Sequence, residues 1–221
     1  MYAPTLADRI TGSAALRRRQ TIGRRLAHGL GQVQLIGLEN VPATGAVVLA
    51  GNHRSALDGP LIFAFAPRPV TFLVKDEAFV GPLVPLLRGA GQVPVVRQRV
   101  DRAPIRLTLE LLRTGGVVGI FPEGSRGDGL ASTAKPGAAY LALRSGAAVV
   151  PVACHGTGDL LQHRWPRPSA HMVFGPAVPF ARHPDALPLN RRTVAAATER
   201  IRLALADLVT QSAPTGTRTA A

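Results

Sequence analysis

Short apolar runs alternate with amphipathic segments along most of the chain after Gly31. Runs of about four to eight residues rich in Val, Ile and Leu are typical of buried strands, whereas apolar residues at every third or fourth position indicate helices. The alternation predicts a single α/β domain with a mixed, largely parallel central sheet flanked by helices. The predicted strands lie near residues 32–38, 46–51, 70–74, 92–96, 117–121, 148–153 and 170–174. The predicted helices lie near residues 57–65, 102–114, 136–145 and 190–209.

Residues 1–30 predict a basic amphipathic helical arm in front of this domain. Arginines lie between apolar residues that recur at about every fourth position, at Leu6, Ile10, Ala14, Ile22, Leu26 and Leu30. Such a helix suits the headgroup layer of a membrane. The alternative is a helix packed on the domain with its arginine face in water. On this division the domain covers residues 31–210, and residues 211–221 are a flexible tail.

The composition is that of one folded domain. The chain has 221 residues, of which 46% are hydrophobic and 18% charged, as expected for a globular protein with a substantial core. A single cysteine, Cys154, excludes an intramolecular disulfide and a multi-cysteine zinc cage, so a reducing cytoplasm is expected. No run of about 18 apolar residues predicts a membrane span, and residues 1–30 lack the pattern of a secretory signal.

The net charge of +13 predicts an anionic partner, which could be a nucleic acid, a phosphorylated substrate or an anionic membrane surface. Nearly all of the basic residues are arginines, with lysine only at Lys75 and Lys135, a bias that genomic base composition can also produce. Aromatic residues make up 5% of the chain, and none alternates with basic residues as in a base-stacking surface. Nucleic-acid binding is therefore not expected, although it stays an alternative, and the oligomeric state is left open.

The segment "GNHRSALDGP", residues 51–60, follows an apolar strand and contains His53 and Asp58. On a regular helix, five steps of about 100° would leave the two side chains about 140° apart, so the chain between them must turn if they are to meet. Asp58 could then accept from one ring nitrogen and leave the other free as a base. The alternative is an exposed histidine beside an aspartate that caps a helix.

The segment "VVGIFPEGSRGDG", residues 117–129, also leads from a strand into a loop. Glu123 and Arg126 project from this loop, and Gly124 lets backbone amides approach a ligand. Ligands of open α/β sheets bind beyond the carboxyl ends of the strands, where His53 would also lie. The alternative is a surface turn with a solvated Glu-Arg pair.

Together, "NHRSALD" and "FPEGSR" resemble the first and third sequence blocks of the glycerolipid acyltransferases, typified by 1-acylglycerol-3-phosphate acyltransferase. "GAGQVPVVR" (residues 89–97) resembles the second block, although Val96 stands where the family commonly has Asp, and "VVPVA" (residues 149–153) resembles the fourth. "KDEAF" (residues 75–79) is similar to a Lys-x-Glu segment of the family. The resemblance covers about residues 35–180.

The resemblance implies transfer of a fatty acyl group from coenzyme A or acyl carrier protein to a hydroxyl of lysophosphatidic acid or a related glycerol phosphate, in phospholipid biosynthesis. It implies His53 and Asp58 as the catalytic pair and no cofactor other than the acyl donor. The net charge and the basic arm favour a peripheral enzyme on an anionic membrane surface, at the cytoplasmic face of the cell membrane. The residues that the resemblance assigns to the acceptor and its phosphate are Glu123, Arg126, Arg97, Lys75, Gly124 and Ser125.

Cys154 offers a different chemistry, that of a thiol-dependent hydrolase or transferase. The residue follows an apolar run, where a small apolar side chain fits equally well. No metal site is expected, because one cysteine and scattered histidines do not provide the ligands of a zinc site.

Overall fold

The structure, a computed structural model, describes residues 14–96, 103–124, 127, 129–162, 168–183 and 188–214. All seven strands expected from the sequence form, and they make one sheet in the order β1-β7-β6-β2-β5-β3-β4. The strands are β1 (Gln32–Ile36), β2 (Val47–Gly51), β3 (Val70–Lys75), β4 (Val93–Val95), β5 (Val117–Ile120), β6 (Ala148–His155) and β7 (Ser169–Phe174). The helices are α1 (Ala14–Leu30), α2 (Asp58–Phe65), α3 (Leu83–Gly89), α4 (Ala103–Arg113), α5 (Gly137–Ser145) and α6 (Arg191–Gln211).

The sheet is mixed and mostly parallel, as the sequence predicts. Strands β2 to β6 run in one direction, whereas β7 pairs antiparallel with β6, and β1 pairs parallel with β7. The carboxyl ends of β2, β3, β5 and β6 therefore meet at one edge of the sheet. Pro94 does not interrupt this arrangement, because β4 is the outermost strand and a proline is tolerated where one side of the strand lacks a partner.

Helices cover both faces of the sheet, and β2 shows this most clearly. All five of its residues are buried. Val47 and Leu49 pack into a core shared with α2, whereas Val48 and Ala50 pack into a second core with α4, α5 and α6. A strand buried on both faces reads as a continuous apolar run, which is why it is recognisable in the sequence.

The helix α1 packs against α2 through one face, in which Leu16, Gln20 and Ala27 are buried. The Gln20 side chain donates to the backbone oxygen of Phe63 at 2.9 Å. The arm is therefore docked on the domain over the described residues 14–30, while residues 1–13 of the predicted arm lie outside them. No helix among the described residues is both long enough and apolar enough to cross a bilayer.

Two elements differ from the sequence expectations. The sequence does not predict α3, because Pro82 and Pro85 argue against a helix there. In the structure, Pro82 precedes the helix and Pro85 lies in its first turn. Prolines are tolerated at these positions, because no backbone N–H is needed there. At the other end of the chain, α6 continues to Gln211, so the helix includes the first residue of the predicted tail. Residues 215–221 of that tail lie outside the described part.

Candidate active site

His53 and Asp58 meet across the loop that joins β2 to α2. The strand ends at Gly51 and the helix begins at Asp58, so the chain turns between the two side chains. His53 Nδ1 lies 3.1 Å from Asp58 Oδ2. With the ring proton on Nδ1, this nitrogen donates to the carboxylate and Nε2 keeps a free lone pair. The His53 side chain is 19% exposed and that of Asp58 is 0% exposed, so the imidazole is accessible and its partner is not.

Asp58 accepts hydrogen bonds at both carboxylate oxygens. Besides His53, the backbone N–H groups of Arg54 and Ser55 donate to Oδ2, at 2.8 Å and 2.7 Å. The Thr157 hydroxyl donates to Oδ1 at 2.6 Å. A buried carboxylate without partners would be strongly unfavourable, and these four donors provide the partners. They also fix the side chain that orients His53.

Phe121 stacks on the imidazole of His53, with ring centroids 4.1 Å apart and an interplanar angle of 15°. Phe72 stacks in turn on Phe121, with ring centroids 5.4 Å apart and an interplanar angle of 17°. Gly119 makes room for this row, because a Cβ at that position would lie only 2.3 Å from the Phe72 ring. The row of aromatic rings restricts the plane of the imidazole, while Asp58 restricts its rotation within that plane.

The loop after β5 lies directly against His53. The Glu123 Oε1 atom accepts from the backbone N–H of His53 at 3.4 Å, and the backbone N–H of Gly127 donates to the His53 oxygen at 3.0 Å. Gly124 has a φ of 77°, and a Cβ there would lie 2.6 Å from Lys135 Nζ. The ammonium group of Lys135 therefore lies beside Gly124, one of the residues that the resemblance assigns to the acceptor and its phosphate.

Asn52 joins the end of β2 to the end of β6. Its Oδ1 accepts from the backbone N–H of Cys154 at 2.7 Å, and its Nδ2 donates to the oxygens of Cys154 and Gly129 at 3.2 Å and 3.0 Å. The side chain is completely buried. The asparagine next to His53 thus holds together the three segments that surround the histidine.

Cys154 is a core residue. It is 1% exposed, and burial raises the pKa of its thiol well above the usual value, with a further increase from the negative charge of Asp58. A thiol that resists ionisation is a poor nucleophile. These surroundings disfavour the thiol-dependent alternative.

The remaining site residues expected from the sequence fall into two groups. Lys75 is exposed and ends β3 at the same sheet edge as His53. Arg97, Ser125 and Arg126 lie outside the described residues. The sequence does not assign a site role to Thr157, Phe121 or Lys135. The signal for Lys135 is its place in the segment "AKPG", residues 134–137, at the start of α5. Within the described part of the chain, no group of three or more potential metal ligands occurs.

Comparison with known proteins identifies the family of the chain. The Acyltransferase family model matches residues 32–155, which include β2, the His53–Asp58 loop, the loop after β5 and all of β6. The match covers more than half of the chain, and the chain therefore belongs to the acyltransferase family.

Individual relatives carry a consistent description. The chain is 33% identical over 135 residues to a chloroplastic 1-acyl-sn-glycerol-3-phosphate acyltransferase from Arabidopsis thaliana, covering 59% of this chain and 38% of the relative. It is 31% identical over 133 residues to a 1-acyl-sn-glycerol-3-phosphate acyltransferase from Borreliella burgdorferi, covering 58% and 53%. The match therefore spans about half or less of the length of these relatives.

A solved structure shares the fold. The crystal structure of the 1-acyl-sn-glycerophosphate acyltransferase PlsC from Thermotoga maritima superimposes with a TM-score of 0.66 at 26% sequence identity. The similarity covers 87% of this chain and 79% of the other. The α/β architecture is thus that of this acyltransferase.

Proposed function

We propose that the protein transfers a fatty acyl group from a thioester to a hydroxyl of lysophosphatidic acid or a related glycerol phosphate. The observation that carries the proposal is the His53–Asp58 pair at 3.1 Å, at the carboxyl edge of the sheet and within the part that matches the acyltransferase family. The names of the relatives support the choice of acceptor.

In the proposed reaction, His53 Nε2 removes the proton from the acceptor hydroxyl as the oxygen attacks the thioester carbon. The carbon–sulfur bond then breaks, and the imidazolium returns the proton to the leaving thiolate. Asp58 holds the Nδ1–H tautomer and stabilises the positive charge that forms on the ring. General base catalysis of this kind contributes a factor of about 10² to 10⁴ in rate.

The loop after β5 and its neighbours would hold the phosphate of the acceptor. Arg126, Arg97 and Lys75 are the expected cations, assisted by the backbone of Gly124 and Ser125. The structure adds support for this location, because the Lys135 ammonium lies beside Gly124. Glu123 contacts the His53 backbone, so it would link the phosphate-binding loop to the base as well as orienting the acceptor.

Identification of the product tests this function. The purified protein is incubated with labelled acyl coenzyme A or acyl carrier protein and with lysophosphatidic acid, glycerol 3-phosphate or monoacylglycerol. Monoacylglycerol is the matched control, because it offers a similar hydroxyl without the phosphate. We expect phosphatidic acid from lysophosphatidic acid and at least about tenfold slower acylation of monoacylglycerol. Release of free fatty acid alone, or equal rates of acylation for lysophosphatidic acid and monoacylglycerol, would contradict the proposal. Comparison of the two donors shows which thioester the protein uses.

The lipid acceptor also requires access to a membrane, and α1 offers a surface for it. Its outward face exposes a large part of Ile22 (56%), Leu26 (68%) and Leu30 (37%), with the arginines Arg18 and Arg25 exposed on the same helix. An interfacial helix inserts apolar residues among the lipids and places cations beside the anionic headgroups. Because a different face of α1 is docked on the domain, membrane contact and packing on the domain are compatible.

The neighbouring α3 extends this surface. None of its residues is buried, and Leu83 and Leu86 are 44% and 62% exposed. The Arg19 side chain donates to the backbone oxygen of Gly89, which joins the end of α3 to α1. We include both helices in the proposed contact with the anionic inner face of the cell membrane.

Vesicle flotation tests the membrane contact. The double variant Ile22→Gln/Leu26→Gln should lose at least about tenfold in affinity for vesicles that contain phosphatidylglycerol, because about 25 cal/mol is lost per Å² of apolar area no longer buried. Leu203→Gln is the control, since Leu203 is also an exposed leucine, 46% accessible, but lies on α6. Equal flotation of the two variants would contradict the assignment of this surface.

A further inference from the structure

Thr157 contacts the catalytic pair from a distant part of the chain. Its hydroxyl donates to Asp58 Oδ1 at 2.6 Å, and the two residues are 2% and 0% exposed. Building on the proposed acyl transfer, we propose that Thr157 is a positioning residue, which fixes the plane of the Asp58 carboxylate and thereby the orientation of the His53 ring.

The two oxygens of Asp58 are held by different parts of the protein. Among the described residues, the donors to Oδ2 all belong to the loop that contains Asp58. They are His53 Nδ1 and the backbone N–H groups of Arg54 and Ser55. Rotation about the Cβ–Cγ bond has a broad energy profile, and it moves both carboxylate oxygens together. The contacts at Oδ2 oppose this rotation from one side only. The bond from Thr157 to Oδ1 anchors the second oxygen and narrows the remaining range of rotation. Oδ2 is then directed at the imidazole.

The turn after β6 is built so that Thr157 can reach Asp58. Gly156 has a φ of 67°, and a Cβ there would lie 2.5 Å from the backbone oxygen of Ser169. Only glycine accommodates this backbone conformation and this close approach to β7. The chain is thereby returned to the His53–Asp58 loop, where a Cβ on Gly158 would be 3.9 Å from Ser55.

A purely structural role is the competing explanation, because a buried carboxylate needs hydrogen-bond donors whether or not it takes part in catalysis. Three variants separate the two roles. Thr157→Val keeps the shape and removes the donor, whereas Thr157→Ser keeps the donor and removes a methyl group. Thr108→Val is the matched control, because Thr108 is 1% exposed and its hydroxyl donates to the Pro104 oxygen, also at 2.6 Å, within α4.

Steady-state kinetics with acyl coenzyme A and lysophosphatidic acid give the first measurement. We expect kcat of Thr157→Val to fall by about 10-fold to 100-fold with both KM values within about twofold of the wild type, because misplacing a catalytic group by about 1 Å has effects of this size. Thr157→Ser should recover most of kcat, and Thr108→Val should keep it. A fall of less than about threefold in Thr157→Val, or an equal fall in Thr157→Ser, would overturn the proposal. If Thr157→Val does not fold, Thr157→Ala replaces it with the same criteria.

Nitrogen NMR of the imidazole side chains gives a second measurement that needs no substrate. The wild type should show the His53 proton on Nδ1, and Thr157→Val should show a mixture of the two tautomers, with Thr108→Val unchanged. An identical His53 spectrum in wild type and Thr157→Val would overturn the positioning role. A changed spectrum in a protein that transfers no acyl group would instead refute the proposed function and leave the role of Thr157 intact.

Discussion

Replacing Asp58 with Asn isolates the contribution of the negative charge to the proposed catalysis. The two side chains have nearly the same shape, and the surrounding donors determine how the amide lies. Three donors point at the Oδ2 position, so the amide oxygen should occupy it. The amide NH₂ then faces the Thr157 hydroxyl, which can accept. The hydrogen-bond geometry is retained in this orientation and the charge is lost.

The size of the effect follows from the separation of the two groups. Nδ1 and Oδ2 are 3.1 Å apart, and because each charge is spread over its group, an effective separation of about 4 Å is appropriate. At an effective dielectric constant of about 20, unit charges at this distance interact by about 4 kcal/mol. This energy is gained only when the imidazolium forms in the transition state, and about 1.4 kcal/mol corresponds to a factor of ten. We therefore expect kcat of Asp58→Asn to fall about 10³-fold.

The assay follows release of coenzyme A at saturating acyl coenzyme A and lysophosphatidic acid, with thermal unfolding to verify the fold. Asp159→Asn is the control, because Asp159 is an exposed aspartate that follows the Thr157 turn and its replacement removes the same charge. We expect nearly unchanged kcat in the control. A folded Asp58→Asn protein with kcat within about tenfold of the wild type would refute the role given to the charge.

Two further predictions concern residues of β6. Cys154→Ala should keep kcat within about twofold while losing about 1 kcal/mol of stability, because the buried thiol packs in the core; loss of turnover in a folded variant, measured by the same assay, would restore the thiol mechanism. Burial lowers the pKa of His155, and the charges of Arg54 and His171 lower it further. The folded protein therefore favours the neutral imidazole. This preference stabilises the fold above the unfolded pKa of about 6.5, and the stabilisation is lost as the pH falls through the lower pKa of the folded state. His155→Gln should therefore lose less in Tm between about pH 7.5 and about pH 5 than the wild type; equal losses would contradict this.

The sequence predicts the central strands of the sheet because they are apolar on both faces, as in β2 and β6. Such runs can be recognised without knowing which strands lie beside them. It does not predict α3, because the two prolines there are compatible with a helix only at its beginning, and the position of that beginning depends on the tertiary structure. For the N-terminal arm, the sequence predicts either membrane contact or packing on the domain. The structure shows one face of α1 packed on the domain and another face exposed, so the packing does not exclude membrane contact.

The His53–Asp58 contact could be expected from sequence because both residues lie in one short loop between a predicted strand and a predicted helix. Thr157 could not, because it is 99 residues after Asp58 in the chain and a threonine between two glycines is typical of any turn. Its contact depends on the pairing of β6 with β2, which brings the end of one strand beside the end of the other. The aromatic row from Phe72 to His53 likewise depends on the order of β3, β5 and β2 in the sheet.

The most direct test of the proposed function is the turnover of His53→Ala, compared with His28→Ala, in which an exposed histidine that packs edge-on against Phe65 is removed. Both variants are assayed for phosphatidic acid formation from acyl coenzyme A and lysophosphatidic acid. We expect His53→Ala to fold and to lose at least about 10²-fold in kcat, with His28→Ala close to the wild type. Phosphatidic acid formed by His53→Ala at a rate similar to that of the wild type would contradict the assignment of His53 as the base.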